Sequence, residues 1–188
     1  MRRLFRSISK CIWTYEARLR GAALGRHITC IGRPIVSVHK RSTMQIGEGV
    51  QFHSHPRSNP MGVPQPCVIR TIAEGAELSL AERVGISGAA VVCAQKIIIG
   101  PRTLIGSGAV IIDNDFHERL PSGEWGNNAR QTARAIHIGS DVFIGARAMI
   151  LKGVSIGDRA VIGAGAVVTR NVPAGGLAVG NPARIIQN

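Results

Sequence analysis

The sequence predicts an all-β fold in which short strands alternate with tight corners and wind into a regular coil. An aliphatic residue recurs at every sixth position, as Ile138, Ile144, Ile150, Ile156, Ile162 and Val168. A second row of small or branched residues follows four places later in each unit, as Val142, Ala148, Val154, Ala160, Ala166 and Val172. A glycine directly follows most members of the first row, and we expect these glycines to adopt the unusual backbone angles of turns.

A period of six fits neither an α-helix nor the two-residue alternation of a long strand. The strands of a β-sandwich recur every ~8–12 residues, which the pattern also does not match. Three units would form a triangular coil, and successive coils would stack about 4.8 Å apart and bury a continuous aliphatic column. The rhythm also runs through Leu80, Ile86 and Val92, slips by one residue and resumes at Ile99, Ile105 and Ile111.

We predict one β-helix domain over residues 28–188, from which polar, aperiodic loops project at 53–66 and 118–135. Residues 1–27 precede this domain, and apolar residues recur at helical spacing among arginines and lysines within residues 1–20. This pattern predicts an amphipathic basic helix. The helix is either a cap that covers the first coil or an anchor on an anionic membrane surface, and the sequence leaves both interpretations open.

The net charge of +12 over 188 residues favours partners that carry negative charge. Nucleic acid is not expected, because the sequence shows neither aromatic platforms nor a recognition helix. No apolar run approaches the roughly 18 residues of a membrane-spanning helix. The 4 cysteines have neither the spacing of paired CxxC motifs nor that of metal ligands. We therefore predict a cytoplasmic protein with free thiols and no metal.

His117 is the strongest candidate for a reactive residue. It lies six residues after Ile111, where the period would place an aliphatic side chain, and it directly precedes the predicted loop at 118–135. An imidazole accepts and donates protons near neutral pH, as a general base for a hydroxyl must. A carboxylate can fix the tautomer of such a histidine, and Asp113 and Asp115 are both candidates for this role.

Three segments together resemble the hexapeptide-repeat acetyltransferases: Ile111-Ile112-Asp113-Asn114-Asp115-Phe116-His117, the hexads that begin at Ile138-Gly139, and the ending Gly180-Asn181-Pro182-Ala183-Arg184. The chain is most similar to the sugar and polysaccharide O-acetyltransferases, which are related to maltose, galactoside and serine acetyltransferases. The resemblance covers residues 28–186 and implies a left-handed β-helix that assembles as a homotrimer, with acetyl-CoA between adjacent subunits. It implies O-acetylation of a sugar or polysaccharide-precursor hydroxyl, with His117 as the general base.

The same resemblance implies which residues bind the two substrates. The donor positions map onto Phe143, Ala146, Ala164, Thr169, Arg170 and Arg184, and the acceptor positions onto Ser87 and Asn59. The chain departs from the family pattern at Phe143, at Ala146 and at Glu118, where tryptophan, serine and proline are frequent. N-acetylation of an amino-sugar is an alternative, because it would use the same base. A non-catalytic β-helix scaffold is a second alternative. A zinc enzyme of this fold would need further histidines near His117.

Overall fold

The computed structural model describes residues 13–186. Within them, three sheets of parallel strands form the sides of a left-handed β-helix, as the resemblance implied. The first sheet contains β1 (Ala22–Leu24), β4 (Thr43–Ile46), β7 (Glu77–Leu80), β10 (Lys96–Ile99), β15 (Ile136–Ile138) and β18 (Ser155–Ile156). The second contains β2 (Thr29–Ile31), β5 (Gln51–His53), β8 (Gly85–Ser87), β11 (Leu104–Ile105), β16 (Phe143–Ile144), β19 (Val161–Ile162), β21 (Leu177–Val179) and the antiparallel β22 (Arg184–Ile186). The third contains β3 (Ile35–Ser37), β6 (Val68–Thr71), β9 (Ala90–Cys93), β12 (Val110–Ile112), β17 (Met149–Ile150) and β20 (Val167–Val168).

The aliphatic column predicted from the period of six forms the core. All members of both rows are buried, from Ile138 and Val142 at the start to Val168 and Val172 at the end. Equivalent residues of successive coils lie directly above one another, since Ile144 is level with Ile105 on one side and Ile162 on the other. Burying this column removes apolar surface from water along the whole length of the helix.

The one-residue slip in the period of six falls at a different position from the predicted one. Val91, not Val92, lies level with Ile111 and is fully buried, whereas Val92 is half-buried and points outward. The prediction that Val92 continues the inward row was therefore wrong by one residue. The chain reaches Val91 by a shortened corner after β8 and leaves it by a wide corner before β10.

The glycines of the repeat serve a different purpose from the one predicted. Gly145 does not have a positive φ, and the residues that do include Asp141, Arg147 and Arg159. A Cβ on Gly145 would lie 2.5 Å from the backbone nitrogen of Ala164 in the next coil. A glycine is needed there because the two backbones approach closely, and not because of a left-handed conformation.

The boundaries of the domain and of its loops also differ in detail. Strand β1 pairs with β4, so the β-helix begins before residue 28, and His53 is the last residue of β5. The segment 118–135 has structure of its own. It contains a hairpin of β13 (Glu118–Arg119) and β14 (Trp125–Gly126), followed by the short helix α2 (Ala129–Thr132).

Residues 13–19 form helix α1, which packs against the first coils. The side chain of Trp13 is 3% exposed and lies 5.5 Å from the ring of Phe52, measured between ring centroids, and Ala17 is also buried. Tyr15 and Leu19 point away from the core and are exposed. These contacts support the cap interpretation for α1, while the predicted helical residues 1–12 lie outside the described residues. Among residues 13–186, no helix has the length and hydropathy needed to cross a bilayer.

The wide corner between β9 and β10 is held by Asp113 from the next coil. Its buried carboxylate accepts hydrogen bonds from the backbone N–H groups of Ala94, Gln95 and Lys96 at 2.7–2.9 Å. The thiol of Cys93 also donates to this carboxylate, and burial together with the charge of Asp113 raises the pKa of that thiol. Asp113 thus satisfies amides that this irregular corner leaves without strand partners.

Replacement of Trp13 with alanine tests the cap. We expect Trp13→Ala to lower the free energy of unfolding by about 3–5 kcal/mol, because it removes a large buried side chain. Tyr15→Ala on the same helix is the control, and its effect should stay within about 0.5 kcal/mol because Tyr15 is exposed. Urea unfolding followed by circular dichroism measures both values, and equal effects would show that α1 does not cap the core.

Replacement of Asp113 with asparagine tests the corner. We expect Asp113→Asn to lower the free energy of unfolding by about 3 kcal/mol, because it weakens several charge-assisted hydrogen bonds in a buried position. Asp141→Asn is the matched control, since Asp141 is exposed and its positive φ suits asparagine. Thermal and urea unfolding compare the two, and a loss no larger than that of the control would contradict the role of Asp113.

Candidate active site

His117 lies where the chain leaves the third sheet and the β-helix. After β12 the chain turns through Phe116, which has a φ of +62°, and the backbone N–H of His117 donates to the carbonyl of Asp115 at 2.7 Å. The inward rows resume with Ile136 and Ile138 on β15, and the side chain of His117 does not enter the core and is exposed. The break in the period marks the start of this excursion.

The imidazole of His117 is oriented by a backbone carbonyl. Its Nδ1 lies 3.1 Å from the carbonyl oxygen of Gly126. A carbonyl only accepts hydrogen bonds, so Nδ1 must carry the proton in this arrangement. The neutral ring then has an unprotonated Nε2, which is the form that a general base requires.

Neither candidate aspartate contacts the imidazole in the described part of the chain. The carboxylate of Asp113 is committed to the backbone amides of the corner, as described above. Asp115 is exposed and forms an ion pair with Lys152 of the following coil. The sequence predicted that an aspartate would fix the tautomer of His117. In the structure the carbonyl of Gly126 stands at Nδ1 instead.

The hairpin β13–β14 positions that carbonyl. Glu118 and Gly126 are directly opposed in the antiparallel pair, and the carboxylate of Glu118 accepts a hydrogen bond from the backbone N–H of Asn128 at 2.6 Å. Glu118 thereby holds the backbone at Gly126 and at Asn128. Glu118 occupies the position where the family often has proline, and here it joins the two ends of the hairpin.

His117, Asp115 and Trp125 line one open cleft of about 550 Å³. Lys152 reaches Asp115, and Arg119 lies over the indole ring of Trp125 with its guanidinium carbon 5.1 Å from the ring centroid. The cleft therefore brings together an imidazole, a carboxylate and an exposed aromatic ring, and Lys152 pairs with the carboxylate. An unprotonated imidazole nitrogen beside an open cleft can take a proton from a molecule bound there.

The predicted donor residues occupy two edges of the triangular helix. Ala146 and Ala164 lie in successive coils at the corner after the second sheet, and neither is part of the buried core. Phe143 is exposed on the outer face of the second sheet, and Arg184 begins the strand that closes this sheet. Thr169 and Arg170 are exposed after β20, at the edge from which the loop of His117 also departs.

The predicted acceptor residues contact each other but not His117. The side-chain amide of Asn59 donates to the hydroxyl of Ser87 at 3.2 Å. The loop that carries Asn59 is tied down by a 2.6 Å hydrogen bond from the hydroxyl of Ser107 to the carbonyl of Gly62. Ser87 ends β8, so this pair lies at the corner between the second and third sheets. Within one chain, the width of the third sheet separates it from His117.

Three residues around His117 and Asp115 were not predicted from the sequence. Gly126 acts through its carbonyl, and Lys152 acts from another coil, and neither leaves a recognisable local signal. Trp125 did leave one, because the chain has only 2 tryptophans and this one stands in a polar loop. No group of three or more histidine, cysteine or acidic side chains within residues 13–186 is arranged to hold a metal ion.

Comparisons with known proteins agree with this architecture. Residues 135–170 match the family model described as the hexapeptide repeat of succinyl-transferase. The N-acyltransferase AntD from Bacillus cereus, solved with dTDP and 3-hydroxybutyryl-CoA, is 16% identical with a TM-score of 0.65, over 93% of this chain and 87% of AntD. A galactoside acetyltransferase in complex with coenzyme A is 20% identical with a TM-score of 0.53, over 97% of this chain and 80% of the other.

PerB from Caulobacter crescentus, solved with CoA and GDP-perosamine, is 19% identical with a TM-score of 0.52, over 86% of this chain. The chain spans only 58% of the length of PerB. No curated protein matches the sequence. At these identities the solved structures establish the fold, and the family model establishes the repeat. The chain is a left-handed β-helix protein of hexapeptide repeats, with the fold that these acyltransferases share.

Proposed function

We propose that the protein is an acetyl-CoA-dependent O-acetyltransferase that acts on a hydroxyl of a sugar or a polysaccharide precursor. The observation that carries the proposal is the orientation of His117, whose Nδ1 faces a carbonyl and whose Nε2 is free beside an open cleft. The shared fold supports it, because the similar proteins include a galactoside acetyltransferase solved with coenzyme A. A scaffold would not need an oriented imidazole at the point where the chain leaves the coil.

In the proposed reaction, Nε2 of His117 takes the proton of the acceptor hydroxyl as its oxygen attacks the thioester carbon of acetyl-CoA. The C–O bond of the ester forms and the C–S bond breaks. The departing thiolate then receives the proton from the imidazolium. The products are the acetyl ester and the free thiol of CoA, so the reaction needs no covalent enzyme intermediate and no redox partner. The Gly126 carbonyl holds the ring while its charge changes.

We propose a homotrimer, because one chain divides the donor residues between two edges. Side-by-side packing of two copies would bring the edge with Ala146 and Ala164 to the edge with His117 and Arg170. The outer face of the third sheet suits such packing, since it carries a row of apolar side chains: Ile35, Val68, Ala90, Val110, Met149 and Val167. The outer face of the first sheet is mostly polar, with Gln45, Ser79, His137 and Ser155.

In this arrangement acetyl-CoA would lie in the groove between adjacent subunits. Arg170 and Arg184 are exposed cations that suit its phosphates. Ala146 and Ala164 leave room for the pantetheine arm beside their backbone. Ser87 and Asn59 would face the acceptor across the groove from the neighbouring copy.

N-acetylation of an amino-sugar is the second candidate, and two of the similar structures favour it. PerB was solved with GDP-perosamine, and AntD is an N-acyltransferase solved with dTDP. An amine would use the same base and the same groove. A panel of methyl glycosides and nucleotide-linked amino-sugars, with release of the CoA thiol as the readout, separates the two candidates. Preference for amino-sugars by a factor of about ten or more in kcat/KM would replace the first proposal.

We also propose that the protein works in the cytoplasm, where acetyl-CoA is available, with a peripheral contact to the anionic inner face of the membrane through residues 1–20. The exposed side chains of Tyr15 and Leu19 on α1 support this contact, because the face of the helix opposite to Trp13 is free. Flotation with anionic liposomes tests it. Equal flotation of the full chain and of a chain that lacks residues 1–12 and carries Tyr15→Ser and Leu19→Ser would remove the contact from the proposal.

His117→Ala tests the general base. We expect kcat to fall by about 10²–10⁴-fold, the usual contribution of a positioned base, while the KM for acetyl-CoA changes little. His137→Ala is the matched control, since His137 is exposed on the outer face of β15 and should leave kcat unchanged. Steady-state release of the CoA thiol measures both variants. A His117→Ala protein that turns over within threefold of the parent would refute the assignment.

Met149→Glu tests the trimer. Met149 is 42% exposed on the apolar face, between Val110 and Val167, so a charge there should prevent close packing of subunits. We expect light scattering after gel filtration to show monomers, with loss of acetyl transfer. Ser155→Glu on the polar first sheet is the control and should remain trimeric. An active parent protein that is already monomeric would contradict the shared groove.

A further inference from the structure

The exposed tryptophan beside His117 has no structural task that accounts for its position. Trp125 is 66% exposed. The other tryptophan, Trp13, is 3% exposed and forms part of the core. Exposing an indole ring to water is unfavourable, because it leaves a large apolar surface hydrated. An aromatic ring retained in such a position is a common feature of binding sites.

The hairpin directs Trp125 towards the base. Side chains alternate between the two faces of an extended ribbon, and Arg119 is directly opposite Trp125. His117 directly precedes β13, while Arg119 and Trp125 share one face of the hairpin. His117 and Trp125 line the same cleft, which places the indole ring beside the base.

Arg119 packs over the Trp125 ring, and Trp125 still remains 66% exposed. The guanidinium of Arg119 lies over the indole, with its carbon 5.1 Å from the ring centroid. The carbonyl bonded to His117 belongs to Gly126, the residue after Trp125, so the ring and the base are held by the same short stretch of backbone. A flat, preorganised ring at a fixed place next to a base suits a ligand with a flat apolar face.

We propose that Trp125 is the platform on which the pyranose ring of the acceptor stacks, an inference that rests on the proposed transfer to a sugar. The C–H groups on one face of a pyranose form an apolar patch that packs on an indole ring. The hydroxyl groups at the ring edge then meet Asp115, whose carboxylate accepts hydrogen bonds in the same cleft and is held by the ion pair with Lys152. Stacking on Trp125 presents one of these hydroxyl groups to Nε2 of His117.

The adenine of the donor is the other ligand group that stacks on aromatic rings. The length of the CoA molecule argues against adenine at Trp125. The thioester carbon must reach the hydroxyl at His117, and the adenine lies at the opposite end of the long CoA molecule. A ring adjacent to His117 is therefore near the acceptor and far from the adenine.

Tryptophan fluorescence tests the platform without requiring catalysis. Methyl β-D-galactopyranoside and methyl β-D-glucopyranoside, each titrated to 100 mM, are the probes. We expect at least one of them to change the emission of the full-length protein and of His117→Ala, and to leave that of Trp125→Leu unchanged. A change that persists in Trp125→Leu, or no change with either sugar, would overturn the proposal.

Kinetics with the better probe supply a second readout. We expect Trp125→Leu to raise the acceptor KM by about tenfold, the order expected for one aromatic contact, and to leave the donor KM within twofold. Trp125→Phe should restore most of the affinity because it keeps a ring. Tyr15→Leu is the matched control, since Tyr15 is 65% exposed and remote from the cleft. A rise in the donor KM alone would assign the ring to the adenine and overturn the proposal.

The same variants separate this inference from the proposed function and from a role in assembly. Acetyl transfer that is unchanged in Trp125→Leu would overturn the platform and leave the acyltransferase intact. Sugar-dependent quenching without any acetyl transfer would preserve the platform and refute the acyltransferase. Dissociation of Trp125→Leu into smaller species on gel filtration would identify Trp125 as a subunit contact and overturn the platform.

Discussion

The close approach of each coil to the next is the constraint on which the rest of this structure depends. The coils stack at strand spacing only because positions such as Gly145 lack a side chain, so that the backbone nitrogen of Ala164 can occupy the space of a Cβ. Once the backbones are that close, the inward residues of successive coils are level and pack into one column. The same stacking turns every edge of the triangle into a column of equivalent positions, and the proposed donor residues and His117 lie along two of these edges.

A regular coil offers the same surroundings at every repeat, so a unique site requires the chain to leave it. The departure after β12 shows how this is done. Asp113 remains in the stack and bonds the amides of the coil next to it, while Phe116 reverses the chain and His117 begins the excursion. The stability of the stack thus supports a loop whose hairpin closes on itself through Glu118 and Asn128. Rigid support of this kind is what a positioned base needs.

The sequence predicted those parts of this arrangement that repeat or interrupt a repeat. The inward rows follow from the period of six, and His117 was found because it breaks that period beside a polar loop. The inward role of Val91 was missed, because two deviations from the period of six nearly cancel. The step from Ile86 to Val91 is only five residues, and the wide corner that follows makes the next step longer than six. The reason for the glycines was also missed, since close approach between coils is a property of the stack and leaves the same glycine signal as a turn.

The contacts around His117 could not be predicted from the sequence, for a related reason. Asp113 and Asp115 are separated by one residue and look equivalent, but one is buried against the neighbouring coil and the other is exposed beside Lys152. The partner of the imidazole is a backbone carbonyl, which any residue at position 126 would carry. Only the folded hairpin shows that residues 117 and 126 meet, and that Trp125 comes with them. The same strand of the hairpin therefore places the Trp125 ring and orients the His117 imidazole, so the proposed choice of ligand and the choice of tautomer are coupled through two adjacent residues, Trp125 and Gly126.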